Sequence, residues 1–531
     1  MLKAVNAEHF FTGTRPKGIP PDIDVPDMER LIASTQTLEF PNPYLETLKA
    51  ILECEHVRLG AGYITIDMIR SIDSTTTFVV GGQQAGLFGG PLYTIYKAMH
   101  AVRLASRLSE CSARNVVPIF WVASDDHDFD EVKRIGVRST DGRELSLTYT
   151  PRQLRGGEPV GEIIIDDGIS VILDSLSELM PSGNNSRNYL EILRTTWQPG
   201  IKWSDAFSMQ MLRLFAPYGL VMFDPRWKGI KNFFKDIFAA ELNEPKASVS
   251  LVNEEAEKIE LPLKRKKAIR KSERSTNLFL EINGIRSPLF FTGQEFKAGE
   301  HTFTKRELLD MVNVMPERFS PAAALRAVCQ DAVLPVAAYI AGPGERVYLE
   351  QIKPLYAHFG VNGSIIWPRA SFTVLDPRTM RTAQKEHIAL FRLFDDYDLI
   401  RTDFARKTFP EDVNKDFDSL EHFIESGFNS LAASIHSLDS TLINSVKKDK
   451  GRMIHIIHKM KERALRAHKA SVRVSESRFA AAFYFLRPRR GPQERWFGMD
   501  SIIHFLGDKG FEELIMLTSP NEEHHRIIMP E

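Results

Sequence analysis

The stretch VVGGQQAGLFGGPLYTIYKA, Val79 to Ala98, closes an apolar run with a glycine-rich loop and then enters a helical pattern. Leu92, Ile95, Met99, Val102 and Leu108 fall near one face of that helix. The next apolar run, VVPIFWVAS (Val116 to Ser124), follows at the spacing of a strand-helix-strand unit. TTFVVGG (Thr76 to Gly82), GLVMFDP (Gly219 to Pro225), VLPVAAYIAGPG (Val333 to Gly344) and GSIIWPR (Gly363 to Arg369) share this texture. Such runs read as strands buried on both faces, and their alternation with helices predicts an α/β fold on a doubly wound parallel sheet.

With 531 residues, 43% apolar and 26% charged, the chain can bury a large core and is too long for one compact domain. Its formal net charge of −1 gives no global attraction to nucleic acid or acidic membranes. The segment MLKAVNAEHFFTGTRPKG has no apolar signal core, and no run approaches the ~18 apolar residues of a membrane span. A cytoplasmic protein without a membrane partner is therefore expected. Cys54, Cys111 and Cys329 are odd in number and in no CxxC spacing, which predicts buried free thiols.

Ligands of an open α/β sheet bind outside the carboxyl ends of its strands. Gly81, Gly82, Gly86, Gly89 and Gly90 gather there, and Pro91 suits the first helical turn that follows. The expected role is a cradle in which the amides of Gly86 to Gly90, with Gln83, Gln84, Tyr93 and Thr94, hold phosphate or carboxylate groups. The loop is neither a Walker A loop nor GxGxxG, and a glycine turn serving only strand-helix packing is the alternative.

At the same edge, WVASDDHDFDEV crowds Asp125, Asp126, His127, Asp128, Asp130 and Glu131. Carboxylates this close repel unless a cation, a hydrogen-bond network or a substrate amine compensates. Asp126 and His127 are the expected catalytic pair, orienting an amine or removing its proton, since histidine changes charge near neutral pH. Asp125 and Asp128 are expected as substrate contacts. No HExxH spacing or second clustered histidine is present, so no metal ligands are assigned and the need for a metal stays open.

Six ordered blocks between about Thr76 and Leu506 resemble the BshC family of bacillithiol biosynthesis: GGQQAGLFGGPLYTIYKA, PIFWVASDDHDFDEV, PERFSPAAALRAVCQD, AYIAGPGERVYLEQIKPLY, WPRASFT and LRPRRGPQERWF. Where that family has Gly-Glu before Asp-His-Asp, this chain has Ser124 and Asp125. The resemblance implies a Rossmann-like core similar to class I aminoacyl-tRNA synthetases. It also implies a ligase that joins the carboxyl group of cysteine to the glucosamine amine of glucosaminyl malate. Amide formation from a free carboxylate is uphill in water, so ATP or another nucleotide is expected as co-substrate, by an adenylate or an acyl phosphate route. Gly342, Gly344 and Glu345 of AGPGERVY are expected at a ribose hydroxyl or an ammonium group, and Arg369 and Ser371 at a carboxylate or phosphate.

Beyond WPRASFT, Ile424, Phe428, Leu431, Ile435, Leu438 and Leu442 keep a 4, 3, 4, 3, 4 spacing. After a break near Gly451 the pattern resumes with Met453, Ile457, Met460, Ala464, Ala467, Ser471 and Val474. An antiparallel coiled-coil arm is expected, pairing two chains as a homodimer. The expected domains are a core over 1–380 with an insertion at about 226–330, the arm over 381–480, and a segment over 481–531 whose Gln493, Glu494 and Arg495 close back on the core. The run LKRKKAIRKSER (Leu263 to Arg274) reads as an exposed basic segment of the insertion. An alternative function is a synthetase-like RNA-binding protein that uses the basic second arm, without ligase activity; the neutral total charge and the acidic edge argue against nucleic acid.

Overall fold

The structure is a computed structural model that describes residues 1–11, 24–40, 44–263, 269–471, 473–521 and 523–531. Two compact units emerge, one formed by Met1–Asp376 with Pro488–Glu531 and the other by Pro377–Arg487.

The first unit opens its central sheet with β1 (Thr77–Gln83), followed by helix α1 (Leu92–Ser112), β2 (Val116–Val122) and β3 (Val221–Phe223). Between β3 and the next central strand lies a second sheet of β4 (Ser275–Ile282), β5 (Ile285–Phe291), β6 (Phe296–Ala298), β7 (His301–Phe303) and β8 (Phe319–Pro321), in the order β7-β6-β5-β4-β8. Helix α2 (Ala323–Val333) leads into β9 (Val336–Ala341), helix α3 (Pro343–Gln351) and β10 (Ile365–Pro368).

The central order is β10-β9-β1-β2-β3, and every neighbouring pair is parallel. Consecutive strands build outward from β1 to β3, and the chain then returns to the other side of β1 with β9. The reversal between β1 and β9 is the topological switch point of a Rossmann-like sheet. Val79 and Val80 of β1 face Ala338 and Tyr339 of β9 in register. The apolar texture has its cause in the packing: β2 and β9 are buried along their whole length. On one face Leu104, Ala105 and Leu108 of α1 pack against Val79, Ala338 and Trp367. Removing a leucine side chain from such a cluster costs ~2–5 kcal/mol. Val333, expected in a strand, ends α2 instead, because Leu334 and Pro335 separate the helix from β9.

The C-terminal segment belongs to this unit. Its strand Arg526–Pro530 pairs antiparallel with Leu2–Asn6 and parallel with Phe372–Val374. Cys329 is buried, but Cys54 and Cys111 are exposed, which corrects the expectation of three buried thiols. Among the described residues no helix is long and apolar enough to cross a membrane.

The second unit contains helices α4 (Glu411–His436) and α5 (Ile443–Ser471) packed as a hairpin. Lys461 Nζ bridges to Asp418 Oδ1 at 2.7 Å and His458 Nε2 to Glu421 Oε1 at 3.0 Å, which ties α5 antiparallel to α4. The turn lies at residues 437–442, so Gly451 falls inside α5 rather than at the break. Leu438 and Leu442 therefore sit in the turn and are exposed, as are Leu431, Met453 and Met460. Of the expected seam, Ile424, Phe428 and Ile435 of α4 and Ile457 of α5 are shielded from solvent, and Ile454, which the spacing does not include, is shielded with them. The side chains of Ser471 and Val474 lie outside the described residues, as do residues 264–268 of the basic run.

Candidate functional site

A cavity of about 440 Å³ opens at the carboxyl edge of the sheet, at the switch point between β1 and β9. Gln83 and Gln84 line it from the end of β1, Asp125, Asp126 and His127 from the turn after β2, and Tyr339 and Glu345 from β9 and α3. The inserted sheet covers it with Phe279 and Arg286. A second cavity of about 430 Å³ shares Gln83, Glu345 and Tyr348 with the first and adds Tyr93, Lys97, Arg369 and Arg495.

Three carboxylates of the acidic edge have compensation of their own, while Asp128 and Glu131 are exposed to solvent. Asp125 is buried and hydrogen-bonds to Lys231, with Arg226 NH1 at 3.3 Å. Burial pushes its carboxyl up, but Lys231 and Arg226 together outweigh this and hold it below its ordinary value. The turn after β3 supplies both cations, and Arg226 also meets Glu162 and Glu281 at 3.0 Å each. Asp126 accepts from Gln84 Nε2 at 2.6 Å and from the His127 amide at 2.7 Å. A carboxylate has about four lone-pair positions, so Asp126 keeps acceptor capacity toward the cavity. Asp130 pairs with Lys133 at 2.5 Å, in solvent.

His127 Nδ1 lies 3.0 Å from Arg286 NH1. A guanidinium only donates, so Nδ1 accepts, and the neutral ring carries its proton on Nε2. Arg286 is fixed in turn: Nε donates to Ser320 Oγ at 2.9 Å, NH2 to the Pro321 carbonyl at 3.0 Å, and the guanidinium lies 3.6 Å from the centre of the Phe279 ring. In this arrangement His127 presents a donor to the cavity, which moves the acceptor role toward Asp126.

Below Gln83 the Lys97 ammonium is buried. It donates to the Gly82 carbonyl at 2.7 Å and Gln83 Oε1 at 2.9 Å, and pairs with Glu345 Oε2 at 2.5 Å. Burial lowers its pKa and Glu345 opposes that shift. Glu345 also accepts from the Gly342 amide at 2.9 Å, which caps the amino end of α3 from the N3 side chain alone. Gly342 and Gly344 line the second cavity, and a Cβ at Gly344 would meet nothing within 4 Å.

Other candidates sit elsewhere. Gly86, Gly89 and Gly90 are buried and line neither cavity. Their loop is packed on itself: the Gly89 amide donates to Gly86 and the Gly90 amide to Leu87, while Gln210 Nε2 donates to the Phe88 carbonyl at 2.8 Å. A Cβ on Gly86 would fall 2.6 Å from the Gly90 Cα. This packing favours the alternative of a glycine turn for close strand-helix packing over the expected cradle, and Thr94 is buried with the loop. Asp128 is exposed before the short helix Phe129–Val132 and lines neither cavity. Arg369 is bound internally, donating to Glu494 at 3.1 and 2.6 Å, and Ser371 donates to the same carboxylate at 3.0 Å. Both side chains thus have an internal carboxylate partner in Glu494. Arg369 still borders the second cavity, and its Nε, buried, has no hydrogen-bond partner. Ser371 borders neither.

Sequence reading missed Lys97, Arg286, Arg326 and Lys271. Lys97 carried a signal: a lysine flanked by Ile95, Tyr96, Ala98 and Met99 on a helix with few exposed positions. Arg286 carried none, since it lies far along the chain on a strand of the inserted sheet. Among the described residues no group of three or more histidine, cysteine, aspartate or glutamate side chains is placed to hold a metal ion.

Known proteins agree with this architecture. The family domain described as "Bacillithiol biosynthesis BshC, N-terminal Rossmann-like domain" matches residues 25–370, and "Bacillithiol biosynthesis BshC, C-terminal coiled-coil domain" matches residues 372–530. A Salinibacter ruber protein named "Putative cysteine ligase BshC" is 30% identical over 81% of this chain and 78% of its own length. A Koribacter versatilis protein of the same name is 27% identical over 94% of this chain and 92% of its own length. A solved Campylobacter jejuni chain named as a putative arginyl-tRNA synthetase covers 90% of this chain at 9% identity, with a TM-score of 0.22 that supports no argument. The Rossmann-like sheet, the coiled-coil hairpin and these matches along nearly the whole chain place the protein in the BshC family of bacillithiol biosynthesis.

Proposed function

We propose that the chain is an ATP-dependent cysteine ligase that joins the carboxyl group of cysteine to the glucosamine amine of glucosaminyl malate. The observation that carries the proposal is the pairing of two cavities at the switch point, one bordered by Asp126 and His127, the other by Lys97, Arg369 and Arg495. The second suits a polyanionic co-substrate: its cations surround the amino end of α3, and the buried Arg369 Nε lacks a partner. When bound there, a nucleotide supplies the activation that a free carboxylate lacks.

The chain's own groups then perform the transfer. Asp126, held by Gln84 and the His127 amide, accepts a hydrogen bond from the amine and orients its lone pair toward the acyl carbon. His127, held by Arg286 with its proton on Nε2, donates toward oxygen that gains negative charge. The C–N bond forms as the bond from carbonyl carbon to the leaving oxygen breaks, and the proton shed by nitrogen passes toward Asp126. The inserted sheet shields this side from water.

Purified protein incubated with cysteine, glucosaminyl malate and ATP should yield the cysteinyl amide by mass spectrometry, with ADP or AMP identifying the route. Absence of amide with every nucleoside triphosphate, together with an unchanged thiol pool after gene deletion, would sink the proposal.

A further inference from the structure

The cavity bordered by Asp126 and His127 also has a basic wall. Lys271 lines it beside Ile269 and Phe279, and Arg326 lines it from α2. The backbone of Lys271 is pinned by Asn253, which accepts from its amide and donates to its carbonyl at 2.9 Å each. Its Nζ donates to the Thr276 carbonyl at 3.1 Å. Arg326 hydrogen-bonds to neutral groups, Gln330 Oε1 at 3.1 Å and the Tyr339 hydroxyl at 3.3 Å, and the Glu345 carboxylate acts on it only from beyond ion-pair distance. Among the described residues, no carboxylate stands within 4.0 Å of either cation. Burial holds the Lys271 amine below the ordinary lysine range, and the Glu241 carboxyl only partly opposes this.

The remaining charges of the cavity are matched. Asp125 has Lys231 and Arg226, and Glu345 has Lys97. Asp126 faces Arg286 NH1 at 3.9 Å. A ligand that fits both walls carries an amine for Asp126 and carboxylate groups for Lys271 and Arg326. We propose that Lys271, assisted by Arg326, binds the carboxylate-bearing aglycone of the amino-sugar substrate and sets specificity for it. The inference rests on the ligase reading and names the subsite that selects the acceptor. The stretch Leu263–Arg274 thereby gains a role: its lysine at 271 reads substrate.

The test compares two acceptors, glucosaminyl malate and methyl glucosaminide, which keeps the amine and lacks carboxylates. Wild-type protein should prefer the first in kcat/KM. Lys271→Gln should shrink that preference about 10- to 100-fold through KM, the loss of a charge-assisted contact, and Lys271→Arg should restore most of it. Unliganded melting temperatures verify that the variants fold. An unchanged preference in Lys271→Gln, or a rise in KM for cysteine instead, overturns the proposal. If wild-type protein makes no amide from either acceptor, the ligase reading fails, and calorimetric titration with L-malate judges the subsite alone. Binding weakened at least about 10-fold in Lys271→Gln supports it, and equal binding overturns it.

Discussion

Arg286 NH1 donates to His127 Nδ1 across 3.0 Å, linking a strand of the inserted sheet to the turn after β2. The contact fixes a tautomer, because arginine has no lone pair to offer in return. His127→Gln keeps a donor near the Nε2 position, whereas His127→Ala removes it. We expect His127→Ala to lower kcat ~10²- to 10³-fold and His127→Gln to retain most of the rate. Selective nitrogen-15 labelling should show Nε2 protonated in the wild type and a mixture in Arg286→Gln. Equal losses for the two His127 variants would return the residue to the role of base.

A second prediction concerns Lys97 and Glu345. Removing one partner of an ion pair leaves the other desolvated, and Lys97 is only 1% exposed while Glu345 keeps 23%. Lys97→Met should destabilise the protein by no more than the ~3–5 kcal/mol of a fully buried pair. Lys97→Met with Glu345→Gln should recover part of the loss in a double-mutant cycle by denaturant titration. Strict additivity of the two single effects would show that the pair is not coupled.

The glycine loop yields a third. Gly89 and Gly90 have φ of +91° and +72°, and the Gly86 site leaves no room for a Cβ beside Gly90. Gly86→Ala and Gly90→Val should each cost ~1–3 kcal/mol of stability. Both should retain the melting-temperature rise produced by ligand. Loss of that rise without loss of stability would put an anion back in the loop.

The sheet was legible because burial on both faces writes itself as unbroken apolar runs, as in Val116–Val122. Asp126 and Gln84 were legible for a related reason: a strand ends, and polar residues follow at the edge where ligands bind. The glycine loop left two readings open because close backbone packing and close ligand approach demand the same residue. The internal partner of Arg369 was not legible, because Glu494 comes from 125 residues further on, a separation that no local pattern records. The heptad spacing located a hairpin but not its turn, since spacing constrains the seam and says little about where the chain reverses.

A fourth prediction follows from Asp500, whose Oδ1 is buried without a hydrogen-bond partner. Burial raises its carboxyl pKa to about 7. Below about pH 3 the group is protonated in both folded and unfolded chains and favours neither. As pH rises toward 7 the unfolded chain releases this proton while the folded one keeps it, so stability falls with pH. Asp500→Asn abolishes that titration. Relative to wild type it should gain stability on the order of 1–4 kcal/mol between pH 4 and 8, read from denaturant midpoints. A difference independent of pH would refute the buried ionisation.

The last prediction concerns assembly. Leu431 is 47% exposed and Leu438 85%, so the hairpin retains apolar side chains that its own seam does not cover. We propose that a second copy of the chain covers them, the occupant for which a coiled-coil hairpin is suited. Leu431→Asp with Leu438→Asp should then convert a sedimenting dimer to a monomer, because the pairing would have to desolvate two carboxylates. Leu431 is exposed on α4 and Leu438 lies in the turn, so helicity by circular dichroism should persist. Ile457 supplies the contrast, being only 4% exposed within the seam. Ile457→Asp should lower helicity itself, since it buries a charge inside the hairpin. A double variant that remains dimeric, with helicity intact, would move the interface away from this face.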